Sequence, residues 1–186
     1  MAADDGPTPG SPADLQPEAD PEQVARTILL RRLTAAPRTR AELRKDLLTR
    51  GIDEETADRV LDRFVDVGLI DDETFARMWV ESRQRSRGSA RSVIRQELRH
   101  KGIEGPLAEQ ALELIDSESE RDRAVQLVRV KARSTRRLTP DARARRLTGM
   151  LQRRGYPGGV AFSVVREVLE QMGDDLDGVA MPMDGE

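Results

Sequence analysis

The sequence of 186 residues contains no cysteine, which excludes disulfide frameworks, thiolate metal sites and thiol nucleophiles at once. A single histidine, His100, excludes a multi-histidine metal cluster, and its place between Arg99 and Lys101 before a helix-ending glycine reads as a surface residue rather than the base of a Ser-His triad. Aromatics make up only 3% of the residues. No Walker-type loop is present, because "RGYPGG" (154–159) is not followed by Gly-Lys-Ser/Thr. No apolar run approaches the eighteen or so residues of a membrane span, and the first residues are acidic where a signal peptide would be basic and then apolar. The expectation is a soluble, cytoplasmic protein that is not an enzyme and needs no cofactor or metal.

Bases are missing from both ends. Residues 1–22 hold Pro7, Pro9, Pro12, Pro17 and Pro21 and the acids Asp4, Asp5, Asp14, Glu18, Asp20 and Glu22, without one Lys or Arg. From Gly173 onward stand Asp174, Asp175, Asp177, Asp184 and Glu186, again without a base. Such composition buries too little apolar surface to offset ordering entropy, so disordered acidic tails are expected at 1–22 and 173–186. The formal net charge of −3 therefore averages unlike parts. With the eleven tail acids set aside, 31 bases face 23 acids in residues 23–172, a net charge of +8. A basic body suits a polyanionic partner, for which the tails can compete.

Between the tails one pattern occurs three times: "LRKDLLTRGI" (43–52), "IRQELRHKGI" (94–103) and "LTGMLQRRGY" (147–156). Four residues before each of Gly51, Gly102 and Gly155 stands Leu47, Leu98 or Leu151, and eight before stands Leu43, Ile94 or Leu147. That spacing is one apolar stripe of a helix. A cation and then glycine after it is a helix end with a left-handed residue. The register continues past the glycines through Ala57, Ala108 and Ala161, then Leu61, Leu112 and Val165, then Phe64, Ile115 and Val168, so a second helix follows each turn. A helical stretch also precedes each pair: about 22–35 with Val24, Ile28 and Leu29, about 72–86 with Phe75, Met78 and Trp79, and about 118–134 with Ala124, Leu127, Val128 and Val130. Thr39/Glu42 and Ser117/Glu120 have capping-box spacing, and Thr139 before Pro140 reads as an N-cap. The fold class expected is all-α, a tandem repeat of three three-helix units at 23–70, 71–116 and 117–172, packed end to end into an elongated, curved body.

The stretch "GLIDDETFARMWVESRQRSRG" (68–88) raises a question of chemistry. Asp71 and Asp72 stand where a helix begins, and carboxylates there satisfy free backbone N–H groups. A catalytic pair needs a closed pocket that separates two pKa values, and no residues nearby would wall one. Phe75, Met78 and Trp79, continued by Ser82, are expected to fill a core rather than stack on a nucleobase. The cations that follow, Arg83, Arg85, Arg87, Arg91, Arg95, Arg99 and Lys101, cross into the next helix, where Arg91, Arg95 and Arg99 share one face. Residues 121–172 carry thirteen bases and four acids, among them Arg136, Arg137, Arg143, Arg145, Arg146, Arg153 and Arg154. These fourteen cations are the candidate binding residues.

With these features in view, "GLIDDETFARMWVESR" (68–83), "RG" at Arg87 and Gly88, and "IRQELRHKGI" (94–103) resemble the central signature of the RecX family, regulators of the RecA recombinase. The resemblance implies a monomeric tandem three-helix repeat protein. It would lodge in the groove of the RecA–DNA filament, meet single-stranded DNA within it, and inhibit recombination and coprotease activity without being an enzyme. A stand-alone helix-turn-helix DNA-binding protein is the alternative. The helix after Gly51 speaks against it, since Asp53, Glu54, Glu55, Asp58 and Asp62 would face phosphates with only two arginines among them.

Overall fold

The computed structural model describes residues 20–174 and 176, and among these the chain forms nine α-helices and no strand. They fall into three sets: α1 Pro21–Ala35, α2 Arg40–Thr49 and α3 Glu54–Asp66; α4 Asp72–Arg87, α5 Arg91–His100 and α6 Gly105–Leu112; and α7 Ser117–Ala132, α8 Pro140–Gln152 and α9 Gly158–Gln171. The acidic tails expected at the two ends lie outside the described residues except at their inner margins. There, Asp20 caps α1 and Pro21 opens it. Glu22 receives ion pairs from Arg59 and Arg63 of α3, so these residues belong to the folded part. At the other margin Leu176 is buried in the third core.

The three repeated turns are built alike. Gly51, Gly102 and Gly155 have φ of 83°, 78° and 89°, the left-handed conformation open to a residue without Cβ. In each, the N–H after the glycine reaches back to the leucine carbonyl: Ile52 to Leu47 at 3.2 Å, Ile103 to Leu98 at 2.9 Å and Tyr156 to Leu151 at 3.2 Å. The glycine N–H meanwhile donates to Leu48, Arg99 or Gln152, which completes a Schellman cap. The residue after the glycine then turns inward, and Ile52, Ile103 and Tyr156 are all buried.

Each set closes on its own core. Leu43, Leu47, Ala57, Leu61 and Phe64 meet Ala25 and Leu29 in the first. Ile94, Leu98, Ala108, Leu112 and Ile115 meet Ala76 and Val80 in the second. Leu147, Leu151, Ala161, Val165 and Val168 meet Ala124 and Val128 in the third. Every stripe position expected around the three glycines is buried. Burial of a leucine or isoleucine side chain contributes about 1.5–3 kcal/mol, so these repeated positions supply most of what holds each small unit together.

The leading helices of the second and third sets depart from the expected stripe, whereas in α1 Leu29 is buried and Val24 and Ile28 pack against the first core as expected. In α4 the buried line is Ala76 and Val80; Phe75 and Trp79 pack at its edge, and Met78 and Ser82 are exposed. The core faces α4 through small side chains because the α5 and α6 leucines already fill the interior. In α7 Val130 points outward, and Val125 and Ala132 are buried in its place. Ser117 does not cap α7. Asp116 does, through the N–H groups of Glu118 and Ser119. The expected Thr39–Glu42 capping box and the Thr139–Pro140 start are both present.

The chain divides into two compact units between Asp71 and Asp72, and the second of these contains both the second and the third helix sets. The join between those sets is a backbone clasp. Ala90 N–H donates to the Arg154 carbonyl at 2.8 Å, Ser92 Oγ to the Gly155 carbonyl at 2.6 Å, and Tyr156 OH to the Gly88 carbonyl at 3.2 Å. Ala90 itself is part of the third core.

Candidate polyanion interface

The cations of the second helix set are engaged within the protein. Glu97 on α5 accepts from Trp79 Nε1 at 2.9 Å and from Arg83 Nε at 2.6 Å, and the Arg83 guanidinium lies 4.0 Å over the Trp79 ring. Phe75 stacks on Trp79 with centroids 5.6 Å apart, and Lys101 Nζ stands 4.9 Å from the indole. The result is a cation-capped aromatic ledge, neither a sealed core nor a bare base-stacking platform. Arg87 reaches toward the same Glu97 at 3.9 Å, Arg85 toward Glu81 at 3.9 Å, and Arg99 toward Glu104 at 3.4 Å.

The row Arg91, Arg95 and Arg99 does run along one face of α5, but α6 presents Glu109 to two of its members. Arg95 binds both carboxylate oxygens, at 2.7 and 3.0 Å, and Arg91 adds a contact of 3.1 Å. These hydrogen bonds, that from Arg95 foremost, lower the Glu109 carboxyl from 4.5 to about 2. The same contact raises the Arg95 pKa. Charge on this face is thus partly neutralised and held in fixed geometry.

The third set differs. Arg143, one of the candidates, is only 4% exposed; its guanidinium pairs with Asp174 and donates to the Ala132 carbonyl at 3.4 Å. It fastens the chain after α9 to the end of α7 and offers no outer surface. Arg154 donates to the Arg87 carbonyl, and Arg145 is bound by Asp141 one turn earlier on α8. In contrast Arg136, Arg137, Arg146 and Arg153 are exposed and make no ion pair or hydrogen bond through their side chains among the described residues. Lys131 and Arg133, absent from the sequence-based candidates, are exposed and open in the same sense. Their signal was the run "RVKARSTRR", in which they alternate with the buried Ala132 and Thr135.

Local structure explains why four of these six are presented at one corner. The carbonyls that end α7 are satisfied from nearby: Ser134 Oγ donates to Lys131 and Thr135 Oγ to Ala132, at 2.8 and 2.9 Å. A 3-10 turn, Arg133–Thr135, follows, and Leu138 N–H closes back on the Thr135 carbonyl at 2.9 Å. With Thr135 pinned inside, Lys131, Arg133, Arg136 and Arg137 have nowhere to point but solvent. The negative end of the α7 dipole favours the cations gathered there. Arg146 on α8 and Arg153 at its C-cap, seven residues apart, fall on one side of the helix. What such a set can do is bind phosphates or carboxylates; among the described residues no group of His, Cys, Asp or Glu is placed to hold a metal.

Comparison with known proteins places the same three sets in sequence. Family models match as "RecX, first three-helix domain" over residues 25–64, "RecX, second three-helix domain" over 71–112 and "RecX, third three-helix domain" over 118–165. The Regulatory protein RecX of Streptomyces coelicolor is 49% identical over 177 residues, covering 95% of this chain and 94% of its own. That of Thermobifida fusca is 46% identical, over 93% and 91%. The crystal structure of RecX from Lactobacillus salivarius shares the fold, with a TM-score of 0.72 at 22% identity over 82% of this chain and 99% of that one. A further crystal structure of regulatory protein RecX gives a TM-score of 0.71 at 25% identity, over 80% and 74%.

Proposed function

The chain belongs to the RecX family of regulatory proteins, and from that premise we propose that it binds the RecA nucleoprotein filament and lowers its ATP turnover, strand exchange and coprotease activity. It acts as a monomer in the cytoplasm, and through the filament it modulates homologous recombination, DNA repair and the SOS response. The recombinase on single-stranded DNA is the target, with free DNA bound more weakly.

The observation that carries this reading is the open cation set of Lys131, Arg133, Arg136, Arg137, Arg146 and Arg153. A protein that neutralises phosphates with such side chains gains affinity from released counterions, and the gain fades as salt rises. Cations already paired inside the protein contribute less, because their partners must first be given up. The docking residues assigned here are therefore Arg136, Arg137, Arg146 and Arg153, joined by Lys131 and Arg133. Arg85 and Arg99 are the most exposed of the second set.

ATP hydrolysis by the cognate recombinase on single-stranded DNA tests the proposal. Saturating protein is expected to suppress turnover, and unchanged turnover contradicts the function. Replacing Arg136, Arg137, Arg146 and Arg153 together by Gln is expected to raise the half-inhibiting concentration about tenfold or more, as loss of several charge-assisted contacts requires. An unaltered inhibition curve would move the docking face elsewhere. Tight, sequence-selective binding to duplex DNA without recombinase would instead favour the helix-turn-helix reading, for which the acidic α3 is a poor reading surface.

A further inference from the structure

The chain leaves the third core beside the open cations. Asp174 pairs with the buried Arg143, and the same guanidinium donates to the Ala132 carbonyl at 3.4 Å, so the segment after α9 is fastened to the C-terminal end of α7. Leu176, two residues on, is buried in the third core and holds the exit there. Lys131 and Arg133 flank Ala132 in the chain, and Arg136 and Arg137 follow the 3-10 turn Arg133–Thr135. None of these four side chains has an ion pair or hydrogen bond among the described residues. From residue 175 onward the sequence carries Asp175, Asp177, Asp184 and Glu186 and no base.

We propose that the α7–α8 corner is a docking surface for this chain's own acidic run, residues 175–186, which competes there with the polyanion partner. The inference rests on the reading of that corner as the phosphate-binding face and adds what regulates it. Charge and reach both support it. Four open cations crowded at one corner repel one another, and carboxylates between them relieve the repulsion. Elsewhere the protein puts acids to this use: Glu22 takes Arg26, Arg59 and Arg63, and Glu109 takes Arg91 and Arg95. The residues 177–186 beyond Leu176 can extend to about 33 Å. The whole of α8 spans only about 20 Å, so acids of this run can reach Arg146 as well as the corner. Tethering sets the competitor at an effective concentration of about millimolar, at which weak carboxylate contacts count. A polyanion must displace them, so a ligand dense in charge succeeds where an isolated anion fails.

The test uses the full chain without recombinase. One variant, Asp175→Asn/Asp177→Asn/Asp184→Asn/Glu186→Gln, neutralises the acids of the run and leaves Asp174 and Leu176 in place. The control, Asp4→Asn/Asp5→Asn/Asp14→Asn/Glu18→Gln, changes the net charge by the same amount at the other end of the sequence. In NMR without any ligand, the Arg133, Arg136 and Arg137 Nε–Hε signals should differ between the parent and the first variant, while those of the exposed Arg31 and Arg50 in the first unit stay in place. Unchanged corner signals would refute the contact, and that outcome does not depend on whether the filament reading holds. Anisotropy titrations with a short fluorescein-labelled oligothymidylate then measure the competition. The first variant is expected to bind about threefold or more tightly than the parent, since the tethered competitor is gone. Its slope of log affinity against log salt should steepen by about 0.7 for each cation no longer shared. The control is expected to stay within about twofold of the parent, because distant charges are screened. Equal gains in both variants would overturn the docked run and leave only net charge.

Discussion

The Tyr156 hydroxyl donates a hydrogen bond of 3.2 Å to the carbonyl of Gly88, so the third repeat's turn residue holds the turn between the first two helices of the second repeat. Gly155 beside it shares the φ > 0 of Gly51 but not its surroundings. A Cβ at Gly51 would meet nothing within 4 Å, whereas at Gly155 it would stand 2.5 Å from Val93 Cγ2 and 2.7 Å from Ser92 Oγ. Gly51→Ala is expected to cost about 1 kcal/mol through backbone strain alone. Gly155→Ala adds overpacking of about 1–3 kcal/mol and disturbs the Ser92 bond to the Gly155 carbonyl. Denaturant melts of the two variants measure the difference; equal losses would mean that the clasp between the sets yields freely.

Burial pushes the Tyr156 phenol up from 10.0 to about 12, with the Glu120 carboxylate adding to it. A folded pKa above the unfolded one means this contribution to stability is whole below pH 10 and is lost as pH rises toward 12. Tyr156 is the chain's one tyrosine, so absorbance at the tyrosinate band reports it alone. Titration of native protein should show a midpoint near 12, against about 10 in denaturant. A native midpoint at the ordinary value would refute the buried placement.

At the acid end Glu109 carries the opposite sign. Its carboxyl is depressed from 4.5 to about 2 by Arg95 and then Arg91, so the stability it lends is present above pH 4.5 and is lost as pH falls toward 2. The Glu109→Gln variant should lose less stability than the parent on acidification across that window. Parallel acid curves would show that the arginine row holds Glu109 too loosely to matter.

Arg143 and Arg146 stand three residues apart with opposite roles. Removing Arg143 leaves Asp174 and the end of α7 without their partner, and Arg143→Ala is expected to cost about 3 kcal/mol, as for breaking a buried ion pair. Arg146→Ala should change stability by no more than about 0.5 kcal/mol. Thermal melts separate them, and a neutral Arg143→Ala would return that residue to the docking face.

The repeat was legible because its determinants are local. A leucine four residues before a glycine, an apolar residue eight before it and a left-handed turn dictate the Schellman cap and the buried stripe regardless of what lies beyond. The leading helices of the second and third sets were less legible. In α4 the bulky Phe75, Met78 and Trp79 drew the expected core line, yet the interior accepts only Ala76 and Val80 as its α4 contribution at full burial. Pairing of the cations was the least legible feature. Arg145 with Asp141 follows from four-residue spacing, but Arg143 meets Asp174 and Arg95 meets Glu109 only once the helices have packed. Fourteen candidate cations therefore looked equivalent in the sequence, and folding divides them into open, paired and buried.

A pull-down with recombinase and single-stranded DNA, supplied together and separately, tests the proposed docking on a filament most directly. Retention of the assembled filament well above that of either component alone is the result expected. Equal retention of bare DNA and of filament, or loss of binding when recombinase joins the DNA, would contradict it.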